Sequence, residues 1–332
     1  MNYKMMGRLI AQILLAEAAF MVPALIISLV GQDSQAILGF ALSILVILAV
    51  AGMLIFFARK AKKGFYAREG MVCVGLAWIV MSLLGCLPFW ISREIPSYLD
   101  GLFEIVSGFT TTGASILSNV EGLSKGMLYW RSFSHWVGGM GVLVFLLAVV
   151  PVSGRNDGFT MHLLRAESPG PNVAKLVPRI RSTAGILYIL YIVLTVVDLL
   201  LLLAGKMPVL EAVCTAFGTA GTGGFGVKND SMASYSPYIQ NVCTVFMLLF
   251  GVNFSCYYLL IMKQVKSVYE DEELRLYVGM VLGSVLLIVI NLRGFYGTLE
   301  ETVRHVFFQV ASIVTTTGFA TTDFDLWPGF SK

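Results

Sequence analysis

The chain has 332 residues, of which 57% are hydrophobic and only 13% are charged, with a net charge of +3. A soluble domain usually carries about 25% charged residues, so the composition excludes a soluble enzyme. The apolar runs are also too long for the alternating strands of an outer-membrane barrel. We therefore predict an all-α polytopic membrane protein that is surrounded by membrane lipid. Nucleic acid is not an expected partner.

Seven apolar runs are long enough to cross a bilayer as helices. They cover residues 9–30, 37–58, 71–91, 130–150, 183–204, 238–262 and 276–292. Three shorter runs lie between them, at 99–109, 209–217 and 302–314, and are too short to span. Each short run leads into a threonine- and glycine-rich stretch, so we predict re-entrant helices followed by loops at membrane depth. The predicted repeating unit is a span, a short helix, a loop and a second span.

Basic residues cluster in alternate connections between the predicted spans. They occur at Lys4 and Arg8 and within residues 59–68, 155–181 and 263–275. Because positively charged connections usually face the cytoplasm, we predict a cytoplasmic N-terminus. The short helices and their loops then enter the membrane from the outside. The long connection at 151–181 is predicted to be either a cytoplasmic docking surface or a mobile tether.

Threonine-rich loops of one kind recur along the chain. Thr110-Thr111-Thr112-Gly113 returns as Thr315-Thr316-Thr317-Gly318, and a looser copy surrounds Gly221. Such residues disfavour helix, and irregular backbone is tolerated at membrane depth only where it lines a watery path or is buried in protein. Backbone carbonyls can replace the water shell of K⁺, and the C-terminal end of a helix aimed at the site favours a cation. Three copies with the same orientation predict a selectivity filter around one axis.

Four motifs resemble a known family. They are DGLFEIVSGFTTTGAS at 100–115, WRSFSHWVGGMG at 130–141, GVNF at 251–254 and TTTGFAT at 315–321. The chain resembles the Trk/Ktr/HKT superfamily of potassium transporters, most closely the TrkH/TrkG-type pore subunits. The resemblance implies four joined repeats around one pore, preceded by two extra transmembrane helices, in a bacterial inner membrane. It implies no enzymatic activity and no covalently bound cofactor, with K⁺ as the transported ion.

The resemblance also implies partners and filter residues. The implied partners are a second copy in a homodimer and a cytoplasmic TrkA-type regulatory subunit. A nucleotide (NAD or ATP) is expected to act only by binding to that regulatory subunit. The carbonyls of Thr111, Thr112 and Gly113 are implied K⁺ ligands in the first repeat, and those of Thr316, Thr317 and Gly318 in the third. In the second repeat, matching Phe217 with Phe109 places Ala220 and Gly221 at the site, whereas the family's Ile-Gly-Gly-Phe pattern places Gly223 there. The innermost ligands are predicted to be the hydroxyls of Thr110, Thr219 and Thr315.

This pattern divides the chain into five parts. Residues 1–68 form a two-helix prelude, 69–152 the first pore repeat, 153–182 a cytoplasmic loop, 183–266 the second repeat and 267–332 a third repeat. The third repeat lacks its outgoing helix, and a fourth repeat is absent from the sequence. We therefore expect the chain to be a fragment that does not conduct by itself. Selective uptake of K⁺ or Rb⁺ by the chain alone would contradict that expectation.

Two alternatives remain open at this point: a K⁺ symporter coupled to H⁺ or Na⁺, and a non-conducting membrane fragment or regulatory subunit. A symporter needs a titratable group in the ion path, and Glu17 and Asp198 are the candidates at membrane depth. Glu104 is predicted to brace the first short helix. Arg131 is predicted to anchor its helix at the membrane interface.

Overall fold

The computed structural model describes residues 2–59, 67–141 and 180–332. The described residues are mainly helical, which confirms the predicted all-α fold. The helices are α1 (Tyr3–Val30), α2 (Ser34–Phe57), α3 (Ala67–Gly85), α4 (Leu87–Ile91), α5 (Tyr98–Phe109), α6 (Lys125–Met140), α7 (Ile180–Ala204), α8 (Val209–Ala220), α9 (Pro237–Gly251), α10 (Phe254–Ile261), α11 (Val265–Tyr269), α12 (Glu272–Asn291) and α13 (Leu299–Val314). One short 3₁₀ helix, Phe324–Leu326, follows them.

Five helical segments in the described part of the chain are long and apolar enough to cross a membrane. They are Tyr3–Val30, Ser34–Phe57, Glu69–Ile91, Gly185–Ala204 and Glu272–Asn291. They confirm the spans predicted at 9–30, 37–58, 71–91, 183–204 and 276–292. The span predicted at 130–150 begins earlier, as α6, and its residues 142–150 lie outside the described part. Most of the connection at 151–181 also lies outside it.

The span predicted at 238–262 is not one straight helix. It consists of α9 and α10, which meet at a bend of 86°. Val252 is extended between them (ψ 141°), and the Asn253 side chain accepts the N–H of Ser255 at 3.0 Å. A side-chain oxygen that caps the following turn starts a new helix, so Asn253 ends the straight path that the apolar sequence predicts.

The three short helices that the sequence predicts are present as α5, α8 and α13. Ser97 and Thr298 cap α5 and α13 by accepting N–H groups of the first turn, and Pro208 precedes α8. Helix α6 packs on both α5 and α8, and α9 packs on both α8 and α13. Each outgoing helix therefore lies between two successive short helices, and this arrangement brings the loops of neighbouring repeats together. Helices α1 and α2 pack against each other, and α1 also contacts α3 and α6.

Candidate functional site: the junction of three loops

The three short helices end in the same pattern of hydrogen bonds. In the first repeat, the N–H of Thr111 donates to the carbonyl of Gly108 at 3.1 Å, and the next N–H donates to the carbonyl of Ser107 at 2.9 Å. This is the Schellman arrangement, which pairs carbonyls left free at a helix end. The equivalent bonds run from Thr222 to Thr219 and from Gly223 to Gly218 (both 3.1 Å), and from Thr316 to Ile313 (3.0 Å) and Thr317 to Ser312 (2.8 Å).

A threonine in the left-handed region follows each helix end. The φ angles are 53° for Thr111, 50° for Thr222 and 59° for Thr316. This region is unfavourable for a β-branched residue, and the strain persists only where the surroundings hold it. Two residues later each loop has a glycine with positive φ: Gly113 (74°), Gly224 (75°) and Gly318 (85°). The three loops therefore follow one backbone path.

This shared path sets the register of the second loop. Ala220 is the last residue of α8, as Phe109 is of α5, so the expected match of Phe217 with Phe109 is wrong. Thr219 and Ala220 lie in the helix and Gly221 caps it, while Gly224 takes the position of Gly113. The family's Ile-Gly-Gly-Phe pattern covers Thr222 and Gly224, but sequence reasoning did not single either residue out as a K⁺ ligand. The signal was the Gly-Phe pair that ends both the second and the third copies, at 224–225 and 318–319.

The loops touch one another at what we call the loop junction, formed by Gly113, Gly223, Gly224, Thr317 and Gly318. A Cβ atom on Gly113 would overlap the carbonyl oxygen of Gly223 and lie 3.9 Å from the carbonyl oxygen of Thr317. A Cβ atom on Gly224 would overlap that same Thr317 oxygen and lie 3.1 Å from the carbonyl carbon of Gly318. Only glycine permits such close approach at positive φ. Residues from all three repeats are thus brought together, with backbone carbonyls among the contacting groups.

The threonine hydroxyls expected as innermost ligands do not have equivalent surroundings. Thr110 Oγ1 lies 2.7 Å from the Val106 carbonyl and 2.8 Å from the Thr112 hydroxyl, and Thr315 makes the matching contacts in the third repeat. Thr219 is fully buried within α8, where it donates to the Thr215 carbonyl at 2.9 Å. The second-repeat counterpart of Thr110 is Gly221, which carries no hydroxyl.

Arg131 is buried within the protein, so its side chain is not free to act as the predicted anchor at the membrane interface. Its side chain is 3% exposed, and its Nε lies 2.5 Å from Oε1 of Glu104, which is fully buried. Glu104 also accepts the Ser115 hydroxyl at 2.9 Å and the Ile116 N–H at 3.0 Å. The predicted bracing role of Glu104 is consistent with these contacts, which tie α5 to α6 and to the segment after the first loop. The two residues are 27 positions apart, so sequence spacing gave no signal for the pair.

Glu94 lies between α4 and α5, outside the spans, and supports the start of α6. Its carboxylate accepts the Ser124 N–H at 2.8 Å and the Ser124 hydroxyl at 2.7 Å. Burial raises the pKa of Glu94 above its ordinary value of 4.5, and the two bonds from Ser124 oppose that rise. The carboxylate therefore pairs the backbone N–H of Ser124, the N-cap residue of α6, as the acidic residue of a capping box does.

The fold and the loop junction define a polytopic membrane protein built from repeated span, short helix, loop and span units whose loops meet. The TrkH family, described as cation transport protein, matches residues 37–293, and this chain belongs to that family. The Trk system potassium uptake protein TrkH of Salmonella typhimurium is 33% identical over 337 residues, covering 99% of this chain and 69% of the relative. TrkG of Escherichia coli is 31% identical over 314 residues, covering 93% of this chain and 64% of the relative.

A solved structure has the same fold. The crystal structure of the potassium transporter TrkH from Vibrio parahaemolyticus superposes with a TM-score of 0.85 at 28% sequence identity. The match covers 100% of this chain and 68% of the solved chain. The resemblance predicted from the four sequence motifs is thereby confirmed.

Proposed function

We propose that this protein takes up K⁺ as the pore-forming subunit of a Trk-type system. The observation that carries the proposal is the contact of three identically folded loops at Gly113, Gly223 and Thr317. Dehydrating K⁺ requires several oxygen ligands from different directions, and a junction of loop backbones is suited to supply them. The named relatives are potassium uptake proteins, which supports the same function here.

The proposed ligands are backbone carbonyls of the loops. They are those of Thr111, Thr112 and Gly113, of Thr222, Gly223 and Gly224, and of Thr316, Thr317 and Gly318. The hydroxyls of Thr110 and Thr315 are proposed as inner ligands, whereas Thr219, Ala220 and Gly221 contribute the end of α8. Helices α5, α8 and α13 all end at the loops, and the partial negative charge of a helix C-terminus favours a cation there.

We extend the proposal to the setting of the protein. It lies in a bacterial inner membrane with its N-terminus in the cytoplasm, and it transports K⁺ without catalysing a reaction. The repeats are those at 69–152, 183–266 and 267–332, behind the prelude at 1–68 and joined through 153–182. Its partners are a second copy and a TrkA-type subunit that binds NAD or ATP.

Uptake of Rb⁺ by bacteria that lack their own potassium uptake systems tests the function. The chain is expressed alone and together with a separate polypeptide that carries the outgoing helix of the third repeat and the fourth repeat, both implied by the family resemblance. Rb⁺ accumulation in the co-expressing cells, suppressed by external K⁺, is the expected result. Protein that reaches the membrane in both cases without Rb⁺ accumulation in either would contradict the proposal.

A symporter is the second candidate, and two buried carboxyls favour it. Glu17 in α1 is 1% exposed and Asp198 in α7 is fully buried, and none of their carboxyl oxygens has a hydrogen-bond partner in the described part of the chain. A group in this state is suited to carry a proton. Uptake that keeps its rate and pH dependence in Glu17→Gln and Asp198→Asn variants would reject coupling through these residues.

A further inference from the structure

Arg131 connects the segments that follow the first and second loops. In addition to its ion pair with Glu104, it donates from Nη1 to the carbonyl oxygen of Gly226 at 3.0 Å. Glu104, the other member of the ion pair, accepts a hydrogen bond from the Ser115 hydroxyl. Ser115 and Gly226 each lie two residues after the positive-φ glycine of their loop, so the pair holds equivalent points of the two loops.

The second loop is also fixed by ring contacts with α6. The guanidinium carbon of Arg131 lies 3.6 Å from the centre of the Phe225 ring, and the His135 ring stacks on the same ring at 3.9 Å. Nδ1 of His135 accepts the N–H of Phe225 at 3.4 Å. A Cβ atom on Gly223 would overlap the His135 ring. The second loop therefore cannot shift toward α6 without displacing these side chains.

The ion pair is particular to the boundary between the first and second repeats. When α6 and α9 are aligned on their N-caps, Cys243 takes the position of Arg131. When α5 and α8 are aligned on their last residues, Thr215 takes the position of Glu104. At these positions the second loop has no charged pair that would link it to the third loop.

We propose that Arg131 is a positioning residue for ion selection, which sets the spacing between the first and second loops with Glu104 and His135 as its partners. This rests on the proposed function, because it assumes that the loops bind K⁺. Discrimination between K⁺ and Na⁺ depends on the positions of the carbonyl dipoles around the ion and on the strength of their field. A shift of one loop relative to the other therefore changes the preference for K⁺ over Na⁺. A purely structural pair would affect folding and leave the preference of the folded protein unchanged.

The test is equilibrium binding of radioactive Rb⁺ to the purified protein, with K⁺ or Na⁺ as competitor. In Arg131→Lys the positive charge opposite Glu104 is kept, but lysine lacks the planar fork that also reaches Gly226 and stacks on Phe225. We expect the preference for K⁺ over Na⁺ to fall about tenfold. The matched control is Arg275→Lys, because Arg275 is exposed and its hydrogen bond runs to the carbonyl of Tyr269, the last residue of α11, and not to a loop. We expect the control to keep the wild-type preference.

A second variant separates positioning from folding. Glu104→Gln combined with Arg131→Met removes both buried charges together, a change that proteins often tolerate without loss of stability. We expect its unfolding temperature to stay near that of the wild-type protein while its preference for K⁺ falls. Each variant that folds is a sufficient test by itself. If a folded variant keeps the wild-type preference for K⁺ over Na⁺, Arg131 is not a positioning residue for ion selection. Wild-type protein that binds Rb⁺ with no preference for K⁺ over Na⁺ would instead contradict the proposed function, and this inference with it.

Discussion

Gly139, near the end of α6, lies against Gly221, the residue that caps α8. A Cβ atom on Gly139 would lie 2.7 Å from the Cα atom of Gly221. The relationship recurs one repeat later, where a Cβ atom on Gly251 of α9 would lie 2.7 Å from Cγ2 of Thr315, the cap of α13. Both α6 and α9 thus carry a glycine that lets the capping residue of the next short helix approach closely, through a backbone atom at Gly221 and a methyl group at Thr315.

Alanine at position 139 should therefore destabilise the protein. The added methyl group overlaps a closely packed backbone, and overpacking of this kind costs about 1–3 kcal/mol. Thermal unfolding of the detergent-solubilised protein measures the change. The control is Gly279→Ala in α12, where the added Cβ meets no atom within 4 Å. That change should raise stability by up to about 1 kcal/mol through helix propensity. Equal effects at the two sites would contradict the packing argument.

Alanine substitutions at Gly113 and Gly294 distinguish the effect of backbone strain from the effect of contact between loops. Both have positive φ, of 74° and 88°, but a Cβ atom on Gly113 would overlap the Gly223 carbonyl, whereas one on Gly294 meets nothing within 4 Å. Alanine should cost about 1–2 kcal/mol of strain at either site. Only Gly113→Ala should also weaken Rb⁺ binding by the purified protein. A similar loss of binding in Gly294→Ala would show that strain alone, and not contact at the loop junction, is responsible.

Glu17 and Glu104 are both buried carboxylates with opposite expected behaviour. Glu104 pairs with Arg131, whereas the carboxyl oxygens of Glu17 have no hydrogen-bond partner among the described residues. Glu104→Gln leaves a buried arginine without its counter-charge and should cost about 3–5 kcal/mol. Glu17→Gln should be close to neutral, because it exchanges one unpaired buried polar group for another of the same size and breaks no ion pair. Thermal unfolding of the two variants side by side is the measurement, and a larger loss from Glu17→Gln would contradict the assignment.

Glu94 should make stability depend on pH. Its pKa is raised by burial, so the folded state binds the proton more tightly than the unfolded state. Below pH 4.5, the ordinary pKa of a glutamate, Glu94 makes its full contribution to the stability of the folded state. This contribution is lost as the pH rises through the pKa of Glu94 in the folded protein. The unfolding temperature should fall over this window, and fall less in Glu94→Gln. The same slope in both proteins would assign the pH dependence to other groups.

Most of the helices could be predicted from the sequence, because run length and hydropathy determine which segments cross a membrane. The bend at Val252 could not, since apolar residues continue on both sides and Asn253 is a weak signal by itself. Two registers were open for the second loop, and the one that matches Phe217 with Phe109 fails because Phe217 lies three residues before the end of its helix. The length of α8 shows this, and the residue pattern does not.

The buried position of Arg131 could not be predicted from the sequence either. A charged residue near the start of a span usually lies at the interface, and only the fold shows that Glu104 occupies the adjacent space. The contact between Gly113 and Gly223 is different. The repeated Thr/Gly pattern predicted that the loops would meet, and the structure was needed only to choose Gly223 over Gly221 as the residue that touches Gly113.

Crystals grown with Tl⁺ in place of K⁺ give the most direct test of the central claim, that the three loops together hold a dehydrated monovalent cation. Tl⁺ resembles K⁺ in size and scatters anomalously, so its position can be located without other assumptions. The account predicts an anomalous peak at the loop junction, ligated by carbonyl oxygens from all three loops, which K⁺ added alongside Tl⁺ weakens more than the same concentration of Na⁺ does. Well-ordered loops with no anomalous peak between them would contradict the account.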